Sequence, residues 1–252
     1  MSMTQVSIPT PDGAARAFSF TPEGAGPWPA VIFYMDAPAV RPALYGMCER
    51  LAAHGYFVLL PDMFWRVGPY EPMVPSEIFS SEEKRAELFG KYMGSTDPVR
   101  STRDTGAFLE WLSAQPEVKG DKVGATGYCM GAALALRAAG AYPDRIVAAA
   151  GFHGARLATD APDSPHLLAP KIKAKVYIAG ADKDAHFPPE EVDRLREALT
   201  AGGVDNKVEV YAGALHGYAP PDMPVYNEAA AERHWGELFA LLDETLKTPV
   251  PA

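Results

Sequence analysis

The chain has 252 residues, 48% of them hydrophobic, with 23 basic against 32 acidic side chains and a formal net charge of -9. This length and apolar content suit a large core in a single α/β domain over residues 1–252. The acidic balance and the lack of a Lys/Arg block exclude a nucleic-acid surface, and no apolar run approaches the roughly 20 residues that span a bilayer.

Met1-Ser2-Met3-Thr4-Gln5 has neither the basic nor the apolar region of a signal peptide. The 2 cysteines, Cys48 and Cys129, make no disulfide framework, so a reducing cytoplasm is expected. Gln5 to Pro9 and Ala14 to Phe20 flank the turn signal Pro11-Asp12-Gly13 and predict an antiparallel hairpin. Pro29 to Met35 is a continuous apolar run, a strand buried on both faces, ending at Asp36-Ala37-Pro38. Pro42 to His54 carries Leu44, Met47, Cys48, Leu51 and Ala52 at near-helical spacing, with Gly55 as the stop. Tyr56 to Pro61 is the next buried strand.

Asp62 to Phe79 differs, with three prolines among Phe64, Trp65, Tyr70 and two methionines. A long irregular segment this apolar reads as a lid or pocket wall over roughly residues 62–80, or as a packed loop. Ser81 to Tyr92 reads as a helix, and Asp97-Pro98 opens another to Ala114 with Val99, Thr102, Phe108, Leu109 and Leu112 on its apolar side. Beyond Ala141 the strand runs are Arg145 to Phe152, Ala174 to Ala179 and Val208 to Tyr211. Helices are expected from Pro188 to Leu199 and from Val225 to Leu246, and Thr248 to Ala252 is expected to fray. Strand–helix alternation after a hairpin implies a mostly parallel sheet with helices on both faces, and ligand sites at the strands' carboxyl ends.

Gly127-Tyr128-Cys129-Met130-Gly131 lies between an apolar run from Lys122 and the helix formers Ala132 to Ala141. This is the layout of a nucleophile elbow with cysteine in place of serine. The flanking glycines let strand and helix approach closely, and the sulfur at a helix N-terminus sits where an anion is favoured. The alternative is a buried cysteine beside a helix-packing glycine. Chain order is then Cys129, an acid near Asp184, and His216, the nucleophile–acid–histidine order of the α/β-hydrolase architecture. His216 suits the base and the carboxylate suits its orientation. Asp184 suits the turn before Pro188, and Asp182, two residues earlier, is the alternative acid; Asp182 would otherwise bond its own backbone turn. His153, His166 and His186 near strand ends are pocket-lining candidates, as are Phe64, Trp65, Tyr128 and Tyr218. His54, His234 and Cys48 read as structural. No histidine or cysteine spacing suggests a metal, and no cofactor is expected.

Val31 to Asp36, the Gly127–Gly131 elbow, Asp184 with Phe187-Pro188-Pro189-Glu190, and His216-Gly217 together resemble the dienelactone hydrolase family, over roughly Gln5 to Leu246. The resemblance implies an α/β-hydrolase fold and a triad of Cys129, Asp184 and His216. It also implies an oxyanion hole from the backbone N–H groups of Met130 and Ala37. Where family members that hydrolyse dienelactone carry a glutamate that keeps the cysteine neutral, this chain has Asp36, which either takes up that accessory role or only shapes the turn. The family arginine after the catalytic histidine is missing from Gly217-Tyr218-Ala219-Pro220-Pro221, which leaves Arg41 and Arg85 as candidate cations. The expected activity is hydrolysis of small activated esters or lactones through a Cys129 acyl-enzyme. A thioesterase or promiscuous carboxylesterase on the same triad, and a silent binding or redox-sensing homologue, are the alternatives. The expected partner is a small-molecule substrate, and the chain is expected as a monomer or small homo-oligomer.

Overall fold

The computed structural model describes residues 1–247; the expected fraying of Thr248 to Ala252 lies outside the described residues. The first two runs form the hairpin, β1 (Ser2–Thr10) against β2 (Gly13–Thr21) in antiparallel register. The strands that follow are β3 (Trp28–Tyr34), β4 (Phe57–Pro61), β5 (Val118–Tyr128), β6 (Ile146–Phe152), β7 (Lys175–Ala181) and β8 (Asn206–Tyr211). They build one sheet in the order β1-β2-β4-β3-β5-β6-β7-β8. β2 runs antiparallel to β4, and every pairing from β4 to β8 is parallel.

The apolar runs explain this arrangement. Consecutive residues Ala30 to Met35 and Val58 to Leu60 are all inaccessible to solvent, so both faces of the central strands are covered. The α-helices are α1 (Pro42–Ala53), α2 (Pro75–Ser80), α3 (Glu82–Glu87), α4 (Pro98–Ser113), α5 (Met130–Ala141) and α6 (Pro189–Ala201) between strands, and α7 (Glu228–Leu242) after the last one. Proline opens α1, α2, α4 and α6 within the first turn, where its missing N–H leaves no bond unmade. Asp97 caps α4 by accepting from the Arg100 N–H, and Asn227 caps α7 through the Ala230 N–H.

Three elements depart from the sequence reading. Val99 is 74% exposed, because the buried stripe of α4 passes through Ser101, Asp104, Thr105, Phe108, Leu109 and Leu112 instead. The helix expected over Ser81–Tyr92 is α3 followed by a wider π turn at Leu88–Tyr92. The segment from Asp62 to Phe79 is not structureless: it holds a 3-10 turn at Trp65–Val67 and α2. Polar ties pin its first half to the body. Arg16 donates to Asp62, Tyr70 donates to Asp62, and Arg66 forks onto Asp104 while Trp65 Nε1 also reaches Asp104.

Candidate active site

Cys129 follows β5 directly and caps α5 with φ 55°, a left-handed conformation that non-glycine residues rarely adopt. The two flanking glycines are steric necessities. A Cβ on Gly131 would sit 2.5 Å from the Tyr34 carbonyl oxygen, and one on Gly127 would sit 1.9 Å from the Gly131 carbonyl oxygen. The strained turn therefore holds Cys129 at the carboxyl end of the sheet, with its side chain partly exposed.

His216 Nε2 lies 3.1 Å from Cys129 Sγ, and its Nδ1 lies 2.6 Å from Asp184 Oδ2. The carboxylate accepts, so Nδ1 carries a hydrogen and Nε2 faces the sulfur. Asp184 Oδ1 accepts the His186 backbone N–H at 2.8 Å, which fixes the carboxylate plane. Burial alone would lower the His216 pKa, but the hydrogen bonds from Asp184 and Cys129 together with their charges raise it to about 10. Asp182 does not reach His216. Its Oδ2 accepts from the Gly213 N–H at 3.0 Å, and its own N–H donates to Ala214, so it pins the loop that leads to His216 rather than bonding its own turn.

A cavity of about 250 Å³ opens beside these groups. Ala37, Met130, His153 and His186 line it, as the sequence suggests, and Asp36 reaches its wall. Its apolar surface comes from Phe79, Phe89, Met93 and Met223. Of the 62–80 segment only Phe79 arrives there. Phe64 is buried against Tyr92, and Trp65 is turned to Asp104, so neither lines the cavity. Tyr128 and Tyr218 are also buried behind it. Tyr128 donates to His234 Nε2, whose ring burial drives its pKa down to about 3 and keeps it neutral, while Tyr218 donates to the Ala179 carbonyl. His153 is fully buried with φ 36°, and its ring meets that of His216 edge-on at 5.4 Å. Burial, reinforced by the neighbouring His216, pushes its pKa well down, and neither ring nitrogen has a partner among the described residues. His166 sits outside the cavity, bonded to Ser164.

Neither cation suggested by the sequence is free. Arg85 is exposed, donates to the carbonyl of Phe79, and is not itself among the residues lining the cavity. Arg41 is 1% exposed and uses its whole fork. Two donors go to Asp36 at 2.5 and 3.0 Å, two to Asp222 at 2.7 and 3.0 Å, and one to the Ala39 carbonyl at 3.1 Å. Burial raises the Asp36 pKa, against the opposing pull of Arg41. Because Asp36 precedes Ala37 and Asp222 follows His216 by a few residues, Arg41 ties together the two loops that flank Cys129. The cation that does line the cavity is Arg156, which the sequence reading overlooked. It is exposed, adopts φ 57°, and makes no side-chain hydrogen bond or ion pair among the described residues. The only signal for it in the sequence is its place just after the strand ending at Phe152.

A parallel sheet with an antiparallel N-terminal hairpin, a cysteine on a strained strand–helix turn, and a histidine from the loop after the last strand together define an α/β-hydrolase fold. The chain belongs to the dienelactone hydrolase family, whose model matches residues 15–246. It is thereby a hydrolase of carboxylic esters or lactones. It is similar to a Synechocystis sp. protein provisionally named a carboxymethylenebutenolidase, 27% identical over 249 residues, which cover 97% of each chain. A Klebsiella pneumoniae structure provisionally named a dienelactone hydrolase superposes with TM-score 0.84 at 24% identity, covering 96% of this chain and 98% of that one. A dienelactone hydrolase-like promiscuous phosphotriesterase from metagenomic libraries superposes with TM-score 0.76 at 25% identity, covering 98% of this chain and all (100%) of the other. Among the described residues no helix is long and apolar enough to cross a membrane, and no group of three or more His, Cys, Asp or Glu is placed to hold a metal ion.

Proposed function

We propose that the protein hydrolyses small activated esters or lactones through a Cys129 acyl-enzyme, with His216 as proton carrier and Asp184 as its orienter. The observation that carries this reading is the aligned chain Cys129 Sγ, His216 Nε2, His216 Nδ1 and Asp184 Oδ2, at 3.1 and 2.6 Å. At neutral pH a histidine raised to about 10 holds a proton, and the sulfur beside it is the natural nucleophile. Sγ attacks the acyl carbon, and the backbone N–H groups of Met130 and Ala37 receive the developing oxyanion. As the carbon–oxygen bond to the leaving group breaks, His216 Nε2 delivers its proton to that oxygen.

Acylation then changes the histidine. Two of the influences that hold its proton are the hydrogen bond and the charge of Cys129, and both vanish when the sulfur is esterified. Asp184 alone then opposes the effect of burial, and the imidazole, left neutral after protonating the leaving group, takes a proton from water. The water oxygen attacks the thioester carbon, the carbon–sulfur bond breaks, and the sulfur leaves as thiolate. One residue thus serves as acid and then as base because the nucleophile's own charge sets its proton affinity.

The cavity of about 250 Å³ and its phenylalanine and methionine walls suit a small apolar or aromatic acyl portion. Arg156 at the same cavity suits a substrate whose far end is anionic, in keeping with the carboxymethylene arm in the name of the Synechocystis relative. Arg41 is a positioning residue that couples the Ala37 loop to the His216 loop, and with Arg41 engaged Asp36 is held as an ion-pair partner. Thioesters and simple carboxylic esters fit the same chemistry. The silent-homologue reading is set aside by membership in a hydrolase family. Turnover of p-nitrophenyl esters by Cys129→Ala and His216→Ala tests the proposal: both should lose activity, and an undiminished rate in either would sink it.

A further inference from the structure

Every arginine among the described residues except two donates to at least one acceptor. The two exceptions, Arg156 and Arg137, make no side-chain hydrogen bond or ion pair there, and each lines a cavity. Arg156 belongs to the site already described. Arg137 lies on α5 and lines a separate cleft of about 610 Å³ between the start of α4, the end of α5 and the segment around 162–171.

Arg137 is half-buried, and burial pushes its guanidinium below the ordinary value, with Asp163 offsetting only part of that. A desolvated cation is normally paired, because leaving it unpaired forfeits its hydration without return. Asp163 sits on the same cleft but is exposed and forms no ion pair with it. Two further cations line the cleft. Lys171 is exposed with no ion pair, and Arg103 is paired with Asp12. In a chain of net charge -9, three cations against one acid on a single cleft is a local reversal of sign. The cleft also exposes aliphatic surface, with Val99 74% and Leu167 52% accessible.

We propose that this cleft is a second ligand site that binds a small aliphatic carboxylate, its head group on Arg137 with Lys171 nearby and its tail against Val99 and Leu167. The volume falls in the usual range for small-ligand sites. None of its residues belongs to the cavity of Cys129, so binding here is separate from turnover.

The test uses calorimetric titration of octanoate and of 1-octanol into protein whose Cys129 has been alkylated with iodoacetamide, which blocks the first cavity. Octanoate should bind saturably at one site and more tightly than octanol. Arg137→Met should weaken octanoate by at least about tenfold, as expected for a lost charge-assisted contact, and leave octanol unchanged. Leu167→Asp, at an exposed position that folding tolerates, should weaken octanoate in the same way by placing a like charge at the tail contact. Unblocked Arg137→Met should retain wild-type p-nitrophenyl acetate hydrolysis, so the result is independent of the proposed chemistry at Cys129. The proposal is overturned if octanoate fails to saturate by ~10 mM, if octanol binds equally well, or if Arg137→Met or Leu167→Asp binds octanoate like the wild type.

Discussion

Replacing Arg41 by methionine should destabilise the protein in a way that depends on pH. Asp36 is 2% exposed, so without Arg41 its carboxylate has neither counter-ion nor water. Stranding a buried charge costs about 3–5 kcal/mol. The chain can limit that loss by protonating Asp36 on folding. Relative to an unfolded carboxyl near 3.9, this costs about 4 kcal/mol at pH 7 but only about 1.5 kcal/mol at pH 5, at 1.36 kcal/mol per pH unit. The sign follows from a folded-state pKa raised above the unfolded one: stability is fullest at low pH and is lost as pH rises towards the folded value. Asp222, whose side chain is 33% exposed, can be rehydrated and should add less than about 1 kcal/mol. Urea denaturation followed by tryptophan fluorescence at pH 5 and pH 7 reads this directly. Adding Asp36→Asn to Arg41→Met should restore most of the stability at pH 7 and abolish the difference between the two pH values. A loss below about 1 kcal/mol at pH 7, equal losses at both pH values, or no rescue by the added Asp36→Asn would refute the reasoning.

Asp184→Asn should lower kcat by about 10³- to 10⁴-fold with little change in fold, since the amide no longer dictates the His216 tautomer. In the wild type, kcat/KM should decline as pH rises through about 10, where His216 loses the proton destined for the leaving group. The stability from the His216–Asp184 pair is full below the ordinary histidine value and fades over the same rise, and Asp184→Asn should move the activity limb towards neutrality. Gly131→Ala should cost about 3 kcal/mol or more, seen as a lowered melting temperature, because its Cβ meets backbone oxygens of Tyr34 and Met35 at 2.5 and 2.6 Å. Arg156→Met should reduce kcat/KM by about tenfold for esters with a distal carboxylate while leaving p-nitrophenyl acetate nearly unaffected, the modest size reflecting an exposed contact. Equal effects on both substrates would remove Arg156 from recognition.

The features legible in the sequence were those with a local physical cause. The Gly127–Gly131 pattern announces a close strand–helix approach, and the apolar runs at Val31, Val58 and Ala149 announce strands covered on both faces. The order of cysteine, acid and histidine follows from where such strands end. What the sequence left open depends on contacts across the chain. Whether Asp182 or Asp184 meets His216 is decided by the path of one loop, and two carboxylates two residues apart look alike until that path exists. Arg41 looked like a free cation because one of its two carboxylate partners, Asp222, is 181 residues away, and the other, Asp36, read as a turn or accessory residue. The aromatic content of Asp62–Phe79 suggested a pocket wall, but the ties from Arg16, Arg66 and Tyr70 turn Phe64 and Trp65 elsewhere. Phe89, which does line the cavity, lay in a stretch that read as an ordinary helix, and Met93, which lines it too, follows the end of that stretch.

The most direct measurement is mass spectrometry of the intact protein, quenched in acid during turnover of an activated p-nitrophenyl ester, followed by peptide mapping. A mass increase equal to the acyl group, located on Cys129 and absent from Cys129→Ala, is the predicted result. Turnover with an unmodified Cys129 thiol throughout, or an adduct confined to another residue, would contradict the acyl-enzyme.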